Sequence, residues 1–212
     1  MSDCLALCEA LERRRFFSGN VTVQGGEDFT ATITGDRKNN SIEIRLSDQG
    51  GYVIKGRSGT SFNGSPELFL QSSTAANLIV SMGAGNDVVS LVGAFNTQSV
   101  SIFTGSGNDR VTMSRVSHFG DLNIATERGN DSVTLSDVTA TGNLAINTGD
   151  GDDSIRFSRV RIDGDSSVNA GRGKNKLSGL NELGVVGTSS VQGIKPAKSH
   201  DKKDDEHDED DD

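Results

Sequence analysis

The stretch Gly83-Ala84-Gly85-Asn86-Asp87-Val88-Val89-Ser90-Leu91 decides the fold, because it returns at an unbroken interval of 22 residues. Its later copies are Gly105–Met113, Glu127–Leu135, Gly149–Phe157 and an altered fifth copy that begins at Gly171. A fixed period of this length without insertions is typical of a solenoid, in which each repeat packs mainly against its two neighbours.

Apolar residues follow the same interval, and polar residues alternate with them, as in Val133-Thr134-Leu135. This period of two is the pattern of a strand with one buried face. The sequence therefore predicts an all-β fold, a single-stranded and right-handed parallel β-helix with coils of about 22 residues. A β-sandwich of short strands is the weaker alternative, because a sandwich does not require an unbroken register.

The chain divides into three predicted parts. Residues 1–17 contain an apolar stripe with helical spacing and predict a short N-terminal helix, a cap or targeting-like segment. Residues 18–195 form the β-helix, with regular coils over about 77–183 and less regular ones before them. Residues 196–212 are rich in acids and poor in apolar residues, which predicts a disordered tail.

The charge of the chain is concentrated in that tail. The formal net charge is −9, and His200–Asp212 alone holds nine acids and two lysines. The nearly neutral body argues against a nucleic-acid partner. No stretch approaches the ~20 apolar residues of a membrane-crossing helix, so no transmembrane segment is expected.

The turn Gly-x-Gly-Asn-Asp-x-Val/Ile resembles the repeats-in-toxin (RTX) nonapeptide, Gly-Gly-x-Gly-x-Asp-x-apolar-x. In that family, turn carbonyls and the aspartate hold calcium between neighbouring coils. The resemblance implies carboxylate ligands at Asp87, Asp109, Asp131, Asp153 and Asp152, and carbonyl ligands at Gly83, Gly85, Gly105, Gly107, Gly129, Gly149 and Gly151.

The resemblance has departures. The first glycine of the family pattern is replaced by Met82, Thr104, Thr126 or Thr148, and Glu127 replaces a turn glycine in the third copy. There is also one turn per coil, so that any calcium row lies on one edge only.

Electrostatics gives an independent argument for a cation. Stacked coils lie about 4.8 Å apart. Aspartates aligned at that spacing repel by roughly 1 kcal/mol in water and several times more in a protein. Up to three Ca²⁺ ions between the first four copies would relieve this repulsion, and Lys174 and Asn175 end the row. In the metal-free alternative, Asn86, Asn108 and Asn130 form a hydrogen-bonded ladder beside solvated aspartates.

Two other sets of polar residues have plainer interpretations. The row Thr104, Thr126 and Thr148 raises the question of ice binding, but it is short and lacks a Thr-x-Thr face, so we interpret it as structural. Asp36, Asp121 and Asp165 are interpreted as isolated surface acids.

The segment Ala10–Gly19 resembles the Leu-Glu-Pro-Arg-x-Leu-Leu-Ser motif near the N-terminus of many bacterial surface and secreted proteins, with Arg13 replacing its proline. This resemblance implies an extracellular or cell-surface location in a bacterium. The leading functional prediction is a non-enzymatic, calcium-binding structural or adhesive protein, with a polysaccharide or protein partner.

The alternatives are a carbohydrate-active β-helix similar to polysaccharide lyases, or a repeat without a ligand. The first is disfavoured because Arg110, Arg156, Arg159 and Arg161 are spread out and the loops between strands are short.

Overall fold

The structure is a computed structural model, and it describes residues 19–25, 30–48, 51–62, 64–70, 77–93, 97–118 and 120–194. The N-terminal helix predicted for residues 1–17 and the disordered tail predicted for residues 196–212 lie outside these described residues. Within them the chain consists of strands joined by turns, with one short 3₁₀ helix. The all-β prediction is confirmed.

The strands are labelled β1 to β17 in chain order. They span Thr22–Gly25, Thr30–Thr34, Ser41–Leu46, Tyr52–Gly56, Glu67–Leu70, Asn77–Ser81, Val88–Val92, Ser99–Phe103, Arg110–His118, Asp121–Ala125, Ser132–Ala140, Leu144–Asn147, Ser154–Ile162, Ser166–Asn169, Lys176–Ser178, Leu183–Val185 and Ser189–Gln192. The 3₁₀ helix, Leu180–Glu182, lies between β15 and β16.

Two long sheets enclose one core. Sheet 1 has the strand order β1-β2-β6-β8-β10-β12-β14-β17, and sheet 2 has the order β15-β13-β11-β9-β7-β3-β4-β5, with β16 also paired to β13. From β6 to β15 the chain alternates between the sheets, and Val133 pairs in parallel with Val111 on one side and Ile155 on the other. The predicted parallel solenoid with coils of about 22 residues is confirmed over about five turns.

The predicted apolar rows are the core of this solenoid. Val89, Val111 and Val133 are fully buried, and Phe157 is the largest of the fully buried side chains. Each such side chain contributes about 1.5–3 kcal/mol by leaving water. Because equivalent residues pair directly, like side chains pack on like from coil to coil.

The long strands of sheet 2 bend at a residue in the left-handed region. Arg115, Asp137 and Arg159 have φ angles of 55°, 54° and 51°. The parallel pairing passes over these three residues and resumes on both sides of them. The bend lets the strand continue around the core, so that Val116 and Val138 again point inward.

The N-terminal end differs from an uninterrupted parallel helix. β2 and β3 stack in parallel on β6 and β7, but β1 pairs antiparallel with β2. β4 and β5 extend sheet 2 as an antiparallel meander. These strands cover the backbone edge of the first parallel coil, which would otherwise be open.

The C-terminal end keeps stacking after the regular register ends. β15 pairs with β13 at the usual interval, whereas Leu183 pairs with Val160 and Ser189 pairs with Ser166, one residue further along. The 3₁₀ helix accommodates the additional residue. Residues as far as Gln192 therefore belong to the solenoid.

Candidate cation-binding edge

Glycine-rich turns carry the chain from sheet 1 to sheet 2 and stack along one edge of the solenoid. We call this stack the glycine edge; it comprises residues 82–87, 104–109, 126–131, 148–153 and 170–175. Gly107 and Gly129 have φ angles of 138° and 134°. A Cβ atom added to Gly129 would lie 1.7 Å from the carbonyl oxygen of Gly107 in the preceding coil. Only glycine permits turns to approach this closely.

The third copy keeps the turn despite its substitution. Glu127 stands where the other copies have glycine, and it adopts a φ angle of 69°. From the sequence alone, a glutamate at this position makes the turn geometry of the third copy uncertain. The structure shows that Glu127 takes the same left-handed region as Gly105 and Gly149.

The four aspartates predicted as metal ligands form one buried row, which we call the inner row. Asp87, Asp109, Asp131 and Asp153 are at most 2% exposed. The backbone N–H of Asp109 donates to Oδ1 of Asp131 at 2.8 Å, and that of Asp131 donates to Oδ1 of Asp153 at 2.9 Å. Each aspartate thus ties its own coil to the preceding one.

A second row of side chains lies just outside the inner row and is bonded in the opposite direction. In this outer row, the backbone N–H of Asn108 donates to Oδ1 of Asn86, and that of Asn130 donates to Oδ1 of Asn108, at 2.8 and 2.7 Å. Asp152 and Lys174 continue the row through their backbone N–H groups. The asparagine ladder of the metal-free alternative is therefore present as side-chain-to-backbone bonds.

Burial in the inner row disfavours the charged form of all four aspartates. Burial raises the pKa of Asp87 to about 6 and the pKa of Asp131 to about 6, with a further upward contribution from neighbouring aspartates. Burial is also the largest cause that raises the pKa of Asp109 and Asp153. Hydrogen bonds to the carboxylates act in the opposite direction and are outweighed.

The second oxygen of each aspartate has no partner. Among the described residues, Oδ2 of Asp87, Asp109, Asp131 and Asp153 is buried without a hydrogen bond. The hydroxyl of Thr104 is near enough to Asp109 to lower its pKa, yet Thr104 Oγ1 and Asp109 Oδ2 both lack a partner with hydrogen-bond geometry. A buried, unpaired carboxylate oxygen is costly and calls for a positive partner.

The fifth copy has a different residue at the inner-row position, and its hydrogen bonds show which groups surround that position. Asn175 replaces the aspartate, and its Oδ1 accepts the N–H of Asp153 at 2.9 Å, as an aspartate would. This bond fixes the amide orientation, so its Nδ2 occupies the place of Oδ2. There Nδ2 donates to the carbonyl oxygens of Ala170, Gly171 and Gly193.

The coil before the first copy shares only part of this arrangement, because Oδ1 of Asn40 has no partner among the described residues and its Nδ2 also donates to Oδ1 of Asp87 at 3.3 Å. Asn40 precedes Asp87 in the inner row, and its Nδ2 donates to the carbonyl oxygens of Asp36 and Lys38. The inner row therefore begins and ends with an amide N–H donor that faces turn carbonyls. Between these ends, an aspartate Oδ2 stands in the equivalent position, and in copies two to four the threonine hydroxyl of the same turn lies close enough to lower the aspartate pKa.

The oxygen atoms around this position suit a hard cation. By analogy with Asn175, we infer that Oδ2 of Asp153 points toward the carbonyl oxygens of residues 148 and 149. These oxygens already accept the Thr126 hydroxyl at 3.3 Å and the backbone N–H of Arg172 at 3.0 Å. Thr104, Thr126 and Thr148 add fully buried hydroxyls to copies two to four. An all-oxygen set with few carboxylates fits Ca²⁺, which accepts carbonyl and carboxylate ligands in irregular shells. No group of three or more His, Cys, Asp or Glu side chains that could hold a metal occurs among the described residues.

The predicted glycine carbonyls have different roles in the stack. Those of Gly83, Gly105 and Gly149 accept backbone N–H groups from the next coil at 3.1, 3.4 and 3.0 Å. Those of Gly85, Gly107, Gly129 and Gly151 would lie within 1.9 Å of a Cβ atom added to the equivalent glycine of the next coil, and those of Gly83 and Gly149 would be equally close. Asp152 belongs to the outer row and is exposed.

The opposite edge carries a third ladder, which the sequence analysis missed. Asp121 Oδ1 accepts the backbone N–H of Asn143 at 2.7 Å, and Asn143 Oδ1 accepts that of Asp165 at 2.8 Å. Asp121 and Asp165 are therefore not isolated acids. Their spacing of two coils, with Asn143 between them, was the available signal. Asp36 accepts the backbone N–H groups of Asn20 and Lys38.

Two alternatives can be placed on this structure. The Thr104, Thr126 and Thr148 row is fully buried, so it cannot face ice. Arg159 pairs with Asp137 and Arg161 pairs with Asp163, so two of the four arginines considered for a lyase are held in ion pairs.

Comparisons with protein families, curated proteins and solved structures found no match to this chain. In the part of the chain that the structure describes, no helix is long and apolar enough to span a membrane.

Proposed function

We propose that this chain is a non-enzymatic, calcium-binding β-helix that serves as a structural or adhesive module. The observation that carries the calcium proposal is a comparison within the inner row, where the fifth copy has Asn175 and the first four copies have aspartate. Where Asn175 places an N–H donor against turn carbonyls, Asp153 places a buried carboxylate oxygen without a partner. A bound cation would balance the buried carboxylate charge and would take turn carbonyl oxygens as further ligands.

The threonine row indicates where ions would be held. The turns 104–109, 126–131 and 148–153 each combine an inner-row aspartate with a buried threonine hydroxyl. The first copy has Met82 and the fifth has Ala170 at the threonine position. We therefore propose up to three Ca²⁺ ions, one for each turn that contains threonine.

The direct test is thermal unfolding in EDTA and in millimolar calcium. We expect calcium to raise the Tm by more than 5 °C, since binding to the folded state alone contributes ~3 kcal/mol at 100 times Kd. A variant with Asn at positions 87, 109, 131 and 153 reproduces the fifth copy and should not respond. An unchanged Tm of the natural chain would refute the calcium proposal.

A metal-free structural repeat is the second candidate. It is favoured by the two hydrogen-bonded rows of the glycine edge, which join coils without any ion. In this case each Oδ2 would carry a proton that it donates to a turn carbonyl. Stability would then rise on acidification and remain indifferent to calcium, which separates the two candidates.

The proposed location is extracellular or at the cell surface of a bacterium, and it rests on the N-terminal segment around Arg13. Fractionation of cells that express the full chain, followed by protease treatment of intact cells, tests this location. Incubation of the chain with acidic polysaccharides, with detection of unsaturated products, tests the absence of lyase activity.

A further inference from the structure

The outer face of sheet 1 carries no charged residue in its two central rows over six successive coils, and the exposed acids Asp121 and Asp165 border these rows on one side. Its central outward-facing residues form two rows, which we call the neutral face. They are Ile79, Ser101, Asn123, Ala145, Ser167 and Ser190 in one row, and Ser81, Phe103, Ala125, Asn147, Asn169 and Gln192 in the other. Sheet 2 is different, since its outer face carries Glu43, Arg45, Arg110 and Arg156.

Phe103 is the largest side chain on the neutral face. It is 40% exposed, although a phenylalanine in a solenoid coil can be buried, as Phe157 is. Ala125 pairs with Phe103 across the sheet, and Ala145 lies two coils further on in the other row. These small residues line a shallow depression of about 360 Å³ beside the ring. The ring therefore lies at the side of an open, shallow surface formed by the neighbouring strands of sheet 1.

Two amide side chains line the same depression. In the described part of the chain, the side chains of Asn123 and Asn147 have no hydrogen-bond partner. Asn169 differs, because its Oδ1 accepts the backbone N–H of Gly171 at 3.0 Å. Each free amide offers two N–H donors and one carbonyl acceptor.

We propose that the neutral face binds a neutral polysaccharide, with one sugar ring stacked on Phe103 and its hydroxyls bonded to Asn123 and Asn147. Sugar hydroxyls donate and accept hydrogen bonds, as amides do, and the C–H face of a sugar suits the electron-rich face of an aromatic ring. The absence of lysine and arginine from the two rows disfavours anionic polymers, which need such partners. The open depression admits a chain that extends beyond it on both sides.

This inference rests on the proposed adhesive role for its biological meaning, but it does not depend on calcium. The alternative occupant of a flat face is a second copy of the chain. Sheet-on-sheet packing buries apolar side chains from both faces. The neutral face offers only Phe103 and Ile79 as large apolar residues, so a polysaccharide is the better fit.

Affinity electrophoresis of the full chain in gels that contain a soluble neutral polysaccharide tests the proposal. The probes are hydroxyethylcellulose, dextran, galactomannan and soluble starch, with alginate as the anionic comparison. We expect at least one neutral polymer to retard the chain and alginate to have no effect. Phe103→Ala should weaken binding at least tenfold, and Asn147→Ala should weaken it severalfold.

The matched control is Phe69→Ala, since Phe69 is 45% exposed on sheet 2. This variant should bind as the natural chain does. The proposal is overturned if no neutral polymer retards the chain, if Phe69→Ala is as weak as Phe103→Ala, or if Phe103→Ala instead abolishes a dimer seen by light scattering. The Tm shift with calcium should persist in Phe103→Ala, so failure of this site is distinguishable from failure of the calcium proposal.

Discussion

Asn175 accepts the backbone N–H of Asp153 through Oδ1 at 2.9 Å, the same bond that Asp153 makes with Asp131. The two residues differ in the second atom of the side-chain head, which is a donor in Asn175 and an unpaired acceptor in Asp153. Asn175 therefore shows how an uncharged residue is accommodated at the position that the four aspartates occupy. The aspartates add a charge that the hydrogen-bonded stack does not require.

Replacement of Asp131 by asparagine should stabilise the chain in the absence of calcium. Asp131→Asn keeps the Oδ1 bond, removes a buried charge and supplies the missing N–H donor. We expect the free energy of unfolding in EDTA to rise by about 1–2 kcal/mol, as measured by urea unfolding. In calcium the order should reverse, because a ligand has been removed.

The matched control for this change is Asn130→Asp in the exposed outer row. It alters the same turn by the same pair of atoms, and the two sites differ in burial. Its effect should remain within about 0.5 kcal/mol. If Asp131→Asn destabilises the chain in EDTA, our account of Oδ2 is wrong.

Stability in EDTA should fall as the pH rises from about 4 to about 7. The pKa of Asp87 and Asp131 is about 6 in the folded chain, against 3.8 as the ordinary value. The folded state therefore binds more protons, so its stability is greatest below 3.8 and is lost as the pH passes through 6. Each residue contributes on the order of 2 kcal/mol to this change.

Urea unfolding at several pH values measures this dependence. Asp137 and Asp165 have lowered pKa values, so their contribution is lost only as the pH falls below 3.8 and lies outside this window. The variant with four inner-row asparagines should show a flat profile between pH 4 and 7. Stability that increases over this range in the natural chain would contradict the prediction.

The close contact between turns should make Gly129 intolerant of any side chain. Its φ angle is 134°, and an added Cβ would lie 1.7 Å from the carbonyl oxygen of Gly107. We expect Gly129→Ala to cost more than 3 kcal/mol in urea unfolding, because the stack must separate locally. Gly184→Ala is the control, since its Cβ would be 3.7 Å from the nearest atom, the Val160 carbonyl oxygen. Equal losses in the two variants would refute the role of close approach.

The parts of the fold that repeat could be predicted from the sequence. Val133 and Leu135 point inward because their spacing matches the strand period, and equivalent residues pair because the interval is constant. The antiparallel strands β4 and β5 could not be derived in this way. Their pairing depends on contacts at one end of the solenoid, where the chain offers no second copy for comparison.

The candidate site was predicted in part. The repeat identified Asp87 and its equivalents as a row, but it did not show that they lie inside the turn with one oxygen committed to the backbone. The inward orientation of the aspartate side chains depends on the left-handed backbone of the turn glycines. A glycine has no side chain whose polarity would indicate this orientation in the sequence. The ladder of Asp121 and Asn143 was missed because the two residues differ, although both present an acceptor oxygen at the same place.

The bend in sheet 2 gives the last prediction, in which alanine and glycine exchange their order of stability. Arg115 and Arg110 are both exposed on β9, but Arg115 has a φ angle of 55°. A left-handed residue with a Cβ costs about 1–2 kcal/mol, and glycine avoids this cost. Arg115→Gly should therefore be about 1 kcal/mol more stable than Arg115→Ala. At Arg110 the backbone is that of an ordinary strand, where glycine is worse than alanine by about 0.5–1 kcal/mol, and Arg110→Ala should be the more stable variant.

Urea unfolding of the four variants measures both differences. The comparison within each site cancels the loss of the arginine side chain, so the same order at both positions would show that the bend at Arg115 is not strained.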